Sequence, residues 1–451
     1  MRSVVFVERL EFEFSGNVFP NAVVLGDVDN DNENELVVGN VEGDLIIFKG
    51  SNTVPWASCS DLGMIICIGI GDICNSGKNC LVTISGEGLC SIFNNSPASK
   101  AESVEQAEAD VANGDATLSP CYTQHLSANI KVVLIDDIDG DGKTEFVVGH
   151  TDRVVSAYRW VEKQQPTTNE TSPFIPGKFI LLQKWHLNGQ IGSLSLSRHP
   201  DGRPKLIVSQ PGCNYAELLC SWVRGQGEEL TGPNNSKAEP FVKWHPITNK
   251  RARNANVSTE LVGRICRSAD CPERSGADAQ EGKDPQPSRM AMCTLDGTLM
   301  MIEEDKILWS LLVDHQLFAL TKLDINCDGQ DEVVACAWDG QTYIVNHSRE
   351  SVRFHFQENV CAFCAGQYST TGANKPCLVY ATFNKRIYLY WNVQIPRIPS
   401  ADLQLALSQN DTVQQKLKEL DIDVTDTSKL RELYQWCFYG NHTKKTTEEE
   451  T

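Results

Sequence analysis

Residues 21–40 read NAVVLGDVDNDNENELVVGN, and the same design recurs at residues 131–150 (KVVLIDDIDGDGKTEFVVGH) and 319–337 (ALTKLDINCDGQDEVVACA). In each stretch an apolar run precedes an acidic loop of the form D-x-[DN]-x-D-x-x-x-E, and a second apolar run follows it. Agreement at four spaced positions in three copies indicates an internal repeat rather than a shared composition. The organisation of this repeat decides the fold.

Weaker copies of the second apolar run can be found between and after the three strong ones. The seven runs begin at Leu36, Leu81, Phe146, Leu206, Met290, Val333 and Leu378. Each is followed by a turn, such as Asp296-Gly297 or Asp339-Gly340, and by a third apolar run, which is typical of a β-hairpin. Uninterrupted copies repeat about every 45 residues, enough for one four-stranded blade. We therefore predict an all-β, seven-bladed β-propeller, with two packed β-sandwiches as the alternative.

The propeller is predicted to cover residues 1–394. Four polar segments, near residues 96–119, 163–177, 225–239 and 267–288, interrupt the repeat and are expected to form mobile insertions. The run at residues 4–14 has no repeat unit of its own, so we expect it to join the last blade through Phe12 and Phe14 and to close the ring.

Residues 395–451 are predicted to form a helical tail with a disordered acidic end. Asp411 is expected to cap a helix that carries Val413, Leu417 and Leu420, and Thr427 to cap another that carries Leu430, Leu433, Tyr434 and Phe438. Packing of these helices on the propeller is favoured over docking of a partner, since amphipathic helices usually cover their own domain.

Composition narrows the functional class. The chain has 451 residues and a net charge of -19, which disfavours nucleic acid and anionic membrane surfaces as ligands. Its longest apolar stretch, residues 62–71, is too short to span a bilayer, and the N-terminal run at residues 4–7 is too short for a secretory signal. The 17 scattered cysteines are typical of reduced thiols, so we expect a cytoplasmic protein.

The acidic loops are candidate metal sites, because alternate carboxylates in a tight loop present hard oxygen ligands suited to Ca²⁺ or Mg²⁺. Positions 1, 3, 5 and 9 would bind through side chains and position 7 through its backbone carbonyl. The predicted ligands are Asp27, Asp29, Asp31, Glu33 and Glu35 in the first loop, Asp137, Asp139, Asp141, Lys143 and Glu145 in the second, and Asp324, Asn326, Asp328, Gln330 and Glu332 in the third. Such an ion would be structural. The alternative is that these side chains only form turns by binding backbone amides.

Other candidates for chemistry are weaker. Cys361 and Cys364 have the spacing of a zinc or redox pair but lie in an apolar strand without a second pair of ligands. Single histidines such as His186, His245 and His355 are expected to be core or groove residues. The tryptophans at residues 160, 185, 222, 244 and 338 are expected mainly in the core, with a contact surface as the alternative. No catalytic motif is found, so an enzyme is disfavoured.

The acidic loop followed by L/F/V-V-V-G resembles the FG-GAP repeat of the integrin α-chain propeller, although the literal Phe-Gly and Gly-Ala-Pro signatures are largely lost. The chain from residue 4 to the tail around Leu433 and Trp436 resembles the intracellular FG-GAP propeller family that supplies a KICSTOR complex subunit. That resemblance implies a non-catalytic scaffold in a hetero-oligomer with kaptin and other KICSTOR subunits. It implies recruitment of the GATOR complex to lysosomes and negative regulation of mTOR-complex signalling when amino acids or glucose are scarce.

Two other functions remain open on the residues alone. A secreted, calcium-dependent adhesion propeller is disfavoured by the missing secretory signal. A propeller enzyme would be expected to bring two or more carboxylates or histidines together in the central channel.

Overall fold

The computed structural model describes residues 8–94, 118–162, 177–199, 202–222, 242–247, 254–267, 288–395, 407, 411–420, 422–423 and 426–440. The predicted insertions near 96–119, 163–177, 225–239 and 267–288 lie, apart from their edges, outside these residues. Residues 4–396 form one compact unit, and the two helices described below belong to another.

The strands form seven antiparallel, four-stranded sheets, which we number as blades 1 to 7. Blade 1 contains β2 (Val23–Gly26), β3 (Glu35–Gly39), β4 (Leu45–Phe48) and β5 (Ala57–Cys59), and blade 2 contains β6 (Ile65–Gly71), β7 (Cys80–Ser85), β8 (Leu89–Phe93) and β9 (Tyr122–His125). Blade 3 contains β10 (Ile130–Asp136), β11 (Glu145–His150), β12 (Val154–Glu162) and β13 (Gly177–His186), and blade 4 contains β14 (Leu194–Arg198), β15 (Pro204–Gln210), β16 (Asn214–Leu218) and β17 (Val242–Pro246).

Blade 5 contains β18 (Thr259–Ile265), β19 (Arg289–Thr294), β20 (Thr298–Glu303) and β21 (Lys306–Leu312). Blade 6 contains β22 (Leu317–Leu323), β23 (Glu332–Ala337), β24 (Gln341–Val345) and β25 (Ser351–His355). Blade 7 contains β26 (Val360–Ser369), β27 (Asn374–Thr382), β28 (Arg386–Trp391) and the N-terminal β1 (Glu8–Glu13). The first strands of consecutive blades contact one another in the order β2, β6, β10, β14, β18, β22, β26 and back to β2. The ring is therefore closed. This confirms the seven-bladed β-propeller and rules out the two-sandwich alternative.

The second strand of each blade contains an apolar run because neighbouring blades cover both of its faces. Every residue of β3, β11 and β23 is buried. Such strands read as continuous apolar runs rather than as an alternating pattern. The core consequently consists of layers between neighbouring blades.

The N-terminal strand closes the ring, as predicted. β1 pairs antiparallel with β28, with Phe12 opposite Ile387. Phe12 is fully buried and its ring lies 4.3 Å from that of Phe48 in blade 1. Phe14 is also buried. The first strand of the chain thus completes the last blade and packs against the first.

The tail contains α1 (Asp411–Glu419) and α2 (Thr427–Tyr439). α1 begins at Asp411, and capping of this helix by the Asp411 side chain stays a prediction. The expected cap of α2 is wrong by one residue: Asp426, not Thr427, accepts hydrogen bonds from the amides of Ser428 and Lys429. Leu417 and Leu430 are buried, whereas Leu420 and Tyr434, also expected on the apolar faces, are exposed. Packing of the tail on the propeller stays a prediction.

Candidate functional site: the acidic loops and their cations

The three acidic loops connect the first and second strands of blades 1, 3 and 6. We call them the blade 1 loop (residues 27–35), the blade 3 loop (residues 137–145) and the blade 6 loop (residues 324–332). In the blade 1 loop the carboxylate of Asp27 accepts backbone hydrogen bonds from Asn30 at 2.6 Å and Asn32 at 2.9 Å. Asn30 and Asn32 have φ of 65° and 68°, a conformation that asparagine tolerates better than most residues. Asp27 therefore holds the loop in its turn.

The same use of the first aspartate recurs in the other blades. Asp137 accepts from the amides of Gly140 and Gly142 at 2.6 and 2.9 Å. Asp324 accepts from Asp328 and Gly329 at 3.1 and 2.9 Å. Blade 2 is informative because its loop lacks the acidic pattern. There Asp72 still accepts from Ser76 and Gly77, at 2.8 and 2.7 Å. The first aspartate is thus a turn-forming residue whether or not other carboxylates accompany it.

The ninth-position glutamate closes each loop from the opposite side. Glu35, Glu145 and Glu332 each accept the backbone N–H of the second loop residue, at 2.9, 3.0 and 3.1 Å respectively. Glu35 and Glu145 are fully buried. These two carboxylates therefore need a positive partner, because burial disfavours an isolated charge.

In blade 1 that partner is a lysine of the same chain. Lys49 directly follows β4, and its Nζ lies 2.7 Å from Asp29 Oδ2, 2.5 Å from Asp31 Oδ2 and 2.9 Å from Glu35 Oε1. The ammonium also lies 5.4 Å from the centre of the Trp56 ring. A single cation thus contacts three of the predicted metal ligands.

In blade 3 an arginine occupies the same place. Arg159 lies on β12, is 7% exposed, and donates from Nε to Glu145 Oε1 at 2.6 Å. Its Nη2 lies 3.2 Å from Asp139 Oδ2 and its Nη1 lies 2.9 Å from Asp141 Oδ2. Trp222 donates a further hydrogen bond to Asp139, at 2.9 Å. The guanidinium therefore joins the third-, fifth- and ninth-position carboxylates.

Burial and these ion pairs shift the protonation equilibria in opposite directions. Burial raises the pKa of Glu35 to about 7, against the opposing effect of Lys49. Burial likewise raises the pKa of Glu145 to about 7, although the nearby guanidinium of Arg159 acts to lower it. Burial would lower the pKa of Lys49, but Asp29, Asp31 and Glu35 together raise it, so the ammonium stays charged. Each cation offsets part of the desolvation of its glutamate.

The blade 6 loop and the blade 2 loop are closed by neutral groups. In blade 6 the third position is Asn326, whose amide donates to Glu332 Oε1 at 2.8 Å. In blade 2 the third and ninth positions are Cys74 and Cys80, whose thiols hydrogen-bond to each other. In all four loops, therefore, the chain supplies a partner for the ninth-position side chain.

The donor set only partly fits an added divalent ion. Oxygens of Asp27, Asp29 and Glu35, and of Asp137, Asp139 and Glu145, lie within 4.8 Å of one another, as hard ligands for Ca²⁺ or Mg²⁺ should. However, Lys49 already contacts Asp29 and Glu35, and Arg159 already contacts Asp139 and Glu145. An ion could bind there only if the basic side chain moved. The residues of blades 1 and 3 therefore do not fit a metal in this conformation.

The remaining predicted ligands contribute differently. The seventh-position residues Glu33, Lys143 and Gln330 donate their backbone N–H to the fifth-position carboxylate, at 2.8, 2.9 and 2.9 Å. These bonds shape the turn. Coordination of an ion by their carbonyl oxygens stays a prediction.

Sequence reasoning missed Lys49 and Arg159, although both carry a recognisable signal. Each lies 14 residues after the ninth-position glutamate. Leu36 pairs with Phe48, and Phe146 with Tyr158, so the next position along each hairpin puts the basic residue opposite the glutamate. In blade 5 the polarity is reversed: Arg289 stands opposite Glu303 and donates to it at 3.0 Å. In the blade 6 register the corresponding residue is Asn346.

The cysteine pair predicted as a weak zinc or redox candidate lies in the core strand β26. Cys361 Sγ donates to the carbonyl of Ala381 at 3.3 Å. Burial raises the pKa of both the Cys361 and the Cys364 thiol, the latter to about 12. Thiols that remain protonated are poor nucleophiles and poor metal ligands.

The histidines and tryptophans divide between core and surface. His186 and His355 are exposed, contrary to the expectation of core or groove positions. Trp160 and Trp185 are buried as expected, whereas Trp244 is 39% exposed.

His245 is buried between two carboxylates, which sequence reasoning did not anticipate. Its Nδ1 lies 2.9 Å from Asp305 Oδ2 in blade 5, and its Nε2 lies 3.1 Å from Glu217 Oε2 in blade 4. The two ring nitrogens of His245 therefore link a carboxylate of blade 4 to a carboxylate of blade 5. Burial would raise the pKa of Glu217, but Lys205, His245 and His199 together lower it.

The described charged residues of the first strands β10 and β18 form pairs across the centre of the ring. Asp136 on β10 and Arg264 on β18 form an ion pair of 2.8 Å. Glu260, also on β18, hydrogen-bonds Ser193 and is attracted by Lys131 of β10. Burial raises the pKa of Glu260 to about 7. Among the described residues of β10 and β18, each of these acids thus faces a base, whereas acid–base catalysis needs a free acid and base directed at a substrate.

Neither of the two helices with described bounds has the length and apolar composition needed to cross a lipid bilayer.

Comparison with known proteins adds independent information. The family model described as integrin-alpha FG-GAP repeat-containing protein 2 matches residues 49–395. The chain is 46% identical to the KICSTOR complex protein ITFG2 of Mus musculus, over 97% of this chain and 96% of the relative. It is 45% identical to the Bos taurus protein of the same name, over 89% of this chain and 74% of the relative.

Solved structures agree on the architecture. Two crystal structures of BBS1N in complex with ARL6DN, one soaked with mercury and one with lead, match with TM-scores of 0.53 and 0.54. The matches cover 87% and 88% of this chain, and 97% and 98% of those chains, at 12% identity. At this identity the likeness shows the fold alone.

Proposed function

Because the chain belongs to the integrin-alpha FG-GAP repeat-containing protein 2 family, we propose that it is a non-catalytic scaffold subunit of the KICSTOR complex. In the cytoplasm it binds kaptin and other KICSTOR subunits within a hetero-oligomer. This assembly is recruited to the lysosomal surface through its partners and helps to bring the GATOR GTPase-activating complex there. The result is restraint of mTOR-complex signalling when amino acids or glucose are scarce.

The observation that carries the proposal is the 46% identity, over nearly the whole of both chains, to a protein named as a KICSTOR complex component. Identity at this level over nearly the whole of both chains preserves the fold and the order of the blades. The charged pairs of the channel favour a scaffold over an enzyme, since Asp136 has Arg264 as its partner and Glu260 has Lys131.

The proposal is tested by purifying a tagged full-length chain from cells that lack the endogenous protein. We expect kaptin and GATOR subunits to co-purify and the chain to be found on lysosomes. Recovery of chaperones alone would contradict the assembly role. A matched control is the Gly340→Ala chain, in which a backbone clash described below should disrupt the propeller without altering an exposed side chain.

The signalling role is tested separately in the same cells. After withdrawal of amino acids, phosphorylation of mTOR-complex substrates should persist without the chain and fall again when the wild-type chain is restored. Normal co-purification with unchanged signalling would retain the subunit assignment and reject the regulatory role.

A further inference from the structure

The acidic loops pose a chemical question that the proposed function leaves open: what balances their negative charge. Five acidic side chains lie within the nine residues of the blade 1 loop, and four lie within the nine residues of the blade 3 loop. Carboxylates this close repel one another unless a cation lies among them. A divalent metal is one solution, and a basic side chain is another.

We infer that the propeller is independent of divalent metal, with Lys49 and Arg159 serving as permanent counter-cations of the blade 1 and blade 3 loops. The geometry supports this directly. Lys49 Nζ contacts three carboxylates at 2.5 to 2.9 Å, and Arg159 also contacts three. These are the third-, fifth- and ninth-position side chains on which a metal would depend.

The basic residues are held in place by more than the carboxylates. The stem of Lys49 leaves the end of β4, and its ammonium faces Trp56. Arg159 is only 7% exposed, and its carboxylate partners Asp139 and Glu145 are 4% and 0% exposed. Displacing either cation would break its ion pairs with three carboxylates, one of which is fully buried in each loop. A divalent ion would have to overcome that cost before it gained any coordination energy.

In the blade 6 and blade 2 loops, neutral groups contact the ninth-position side chain. Asn326 places an amide donor, rather than a carboxylate, against Glu332. Cys74 and Cys80 replace both the third- and the ninth-position acids in blade 2. Blades 1 and 3 use a charged partner for the ninth-position side chain, and blades 2 and 6 use a neutral one. In all four blades the first aspartate still forms the turn. The turn therefore works without a metal in blades of different composition.

The first test is the melting temperature of the full-length wild-type chain in calcium, in magnesium and in chelator. We expect equal values in the three conditions and no calcium binding by titration calorimetry. A higher melting temperature in either ion, or calorimetric binding of calcium at near-stoichiometric amounts, would overturn the inference. This test requires no variant.

The second test removes the counter-cation. Lys49→Met keeps the aliphatic stem but leaves the three carboxylates without a positive charge, so its melting temperature in chelator should fall. Calcium should now bind at least about tenfold more tightly than to wild type and restore part of the loss, since a positive charge at 3 Å has been removed from the site. If calcium affects wild type and Lys49→Met alike, the lysine does not occupy the place of the ion.

Two controls separate charge from folding defects. Lys178→Met removes an exposed lysine of β13, outside the acidic loops, and should leave both the melting temperature and its indifference to calcium unchanged. If Lys49→Met fails to fold, Lys49→Met combined with Glu35→Gln should fold better, because the uncompensated buried charge is also removed. Loss of folding in both, with normal folding of Lys49→Ala, would show that shape rather than charge is at stake and would contradict the inference.

Discussion

Asp136 Oδ2 lies 2.8 Å from Arg264 Nη1, although the two residues belong to blades 3 and 5, which are not neighbours in the ring. The ion pair therefore crosses the channel and joins strands that share no backbone hydrogen bond. Arg264 has a φ of 51°, in the left-handed region that non-glycine residues adopt rarely. Burial raises the pKa of Asp136, against the opposing effect of Arg264. The ion pair thus links two non-neighbouring blades across the centre of the propeller.

A double-mutant cycle on Asp136 and Arg264 should reveal this coupling. We expect Asp136→Asn and Arg264→Gln each to lower the free energy of unfolding by about 1–2 kcal/mol, because both groups keep some contact with solvent. The double variant should lose less than the sum of the two. Urea unfolding followed by tryptophan fluorescence measures these values. Strict additivity would mean that the two side chains do not interact across the channel in solution.

The pH dependence of stability should carry the signature of Glu260. Its pKa is raised from 4.5 to about 7 in the folded chain, so the folded state holds a proton that the unfolded state has already released. The free energy of unfolding should therefore fall as the pH rises from 4.5 to about 7. Glu260→Gln cannot ionise and should flatten the slope of unfolding free energy against pH. Glu35 and Glu145 add slopes of the same sign, so the comparison is between variant and parent.

Glu87→Gln, at an exposed position, provides the control for the pH measurement and should retain the parental slope. A parental slope in Glu260→Gln as well would show that the channel carboxylate ionises as freely in the folded state as in the unfolded one.

Replacement of His245 should weaken the junction of blades 4 and 5. Its ring nitrogens lie 3.1 and 2.9 Å from the carboxylates of Glu217 and Asp305. Glutamine lacks a ring with two opposed nitrogens, so His245→Gln should lose at least one of these contacts and lower the free energy of unfolding by about 2 kcal/mol. Thermal and urea unfolding measure the loss. The exposed His355→Gln should change neither value, and an equal effect of the two substitutions would contradict the assigned role of His245.

The architecture was largely predictable because it rests on a local signal. The second strand of each blade is buried on both faces, so Leu36 and Val333 each begin an apolar run that sequence displays directly. The closing strand was also predictable, since Phe12 and Phe14 alternate with glutamates in a strand-like run that has no repeat unit of its own. The sequence signal for each feature lies within one short segment of the chain.

The chemistry of the loops was not predictable to the same degree because it depends on strand register. Lys49 is distant from Asp29 in sequence and meets it only through the pairing of β3 with β4. Asp136 and Arg264 are 128 positions apart and meet only because the ring closes. A motif defined within one loop contains neither fact. The carboxylates of the blade 1 loop therefore predicted a metal site, although Lys49, which follows them in the sequence, contacts three of them in the structure.

The turn between β23 and β24 tests the packing of the blades with a matched pair of glycines. Gly340 has a φ of 84°, and a Cβ at this position would lie 2.2 Å from the carbonyl oxygen of Phe356. Gly142 has almost the same φ, 82°, but no atom lies within 4 Å of its Cβ position. Both alanine variants incur the strain of a left-handed conformation, about 1 kcal/mol. Only Gly340→Ala also forces two backbone segments apart.

We therefore expect Gly142→Ala to lower the free energy of unfolding by about 1 kcal/mol and Gly340→Ala by about 3 kcal/mol or more. The larger loss follows because Gly340 O accepts the backbone N–H of Phe356 at 3.1 Å, so the clash also disturbs a hydrogen bond at the end of the β24–β25 pairing. Chemical denaturation of the two variants under identical conditions measures the difference. Equal losses would mean that the turn relaxes freely and that the neighbouring backbone does not require glycine there.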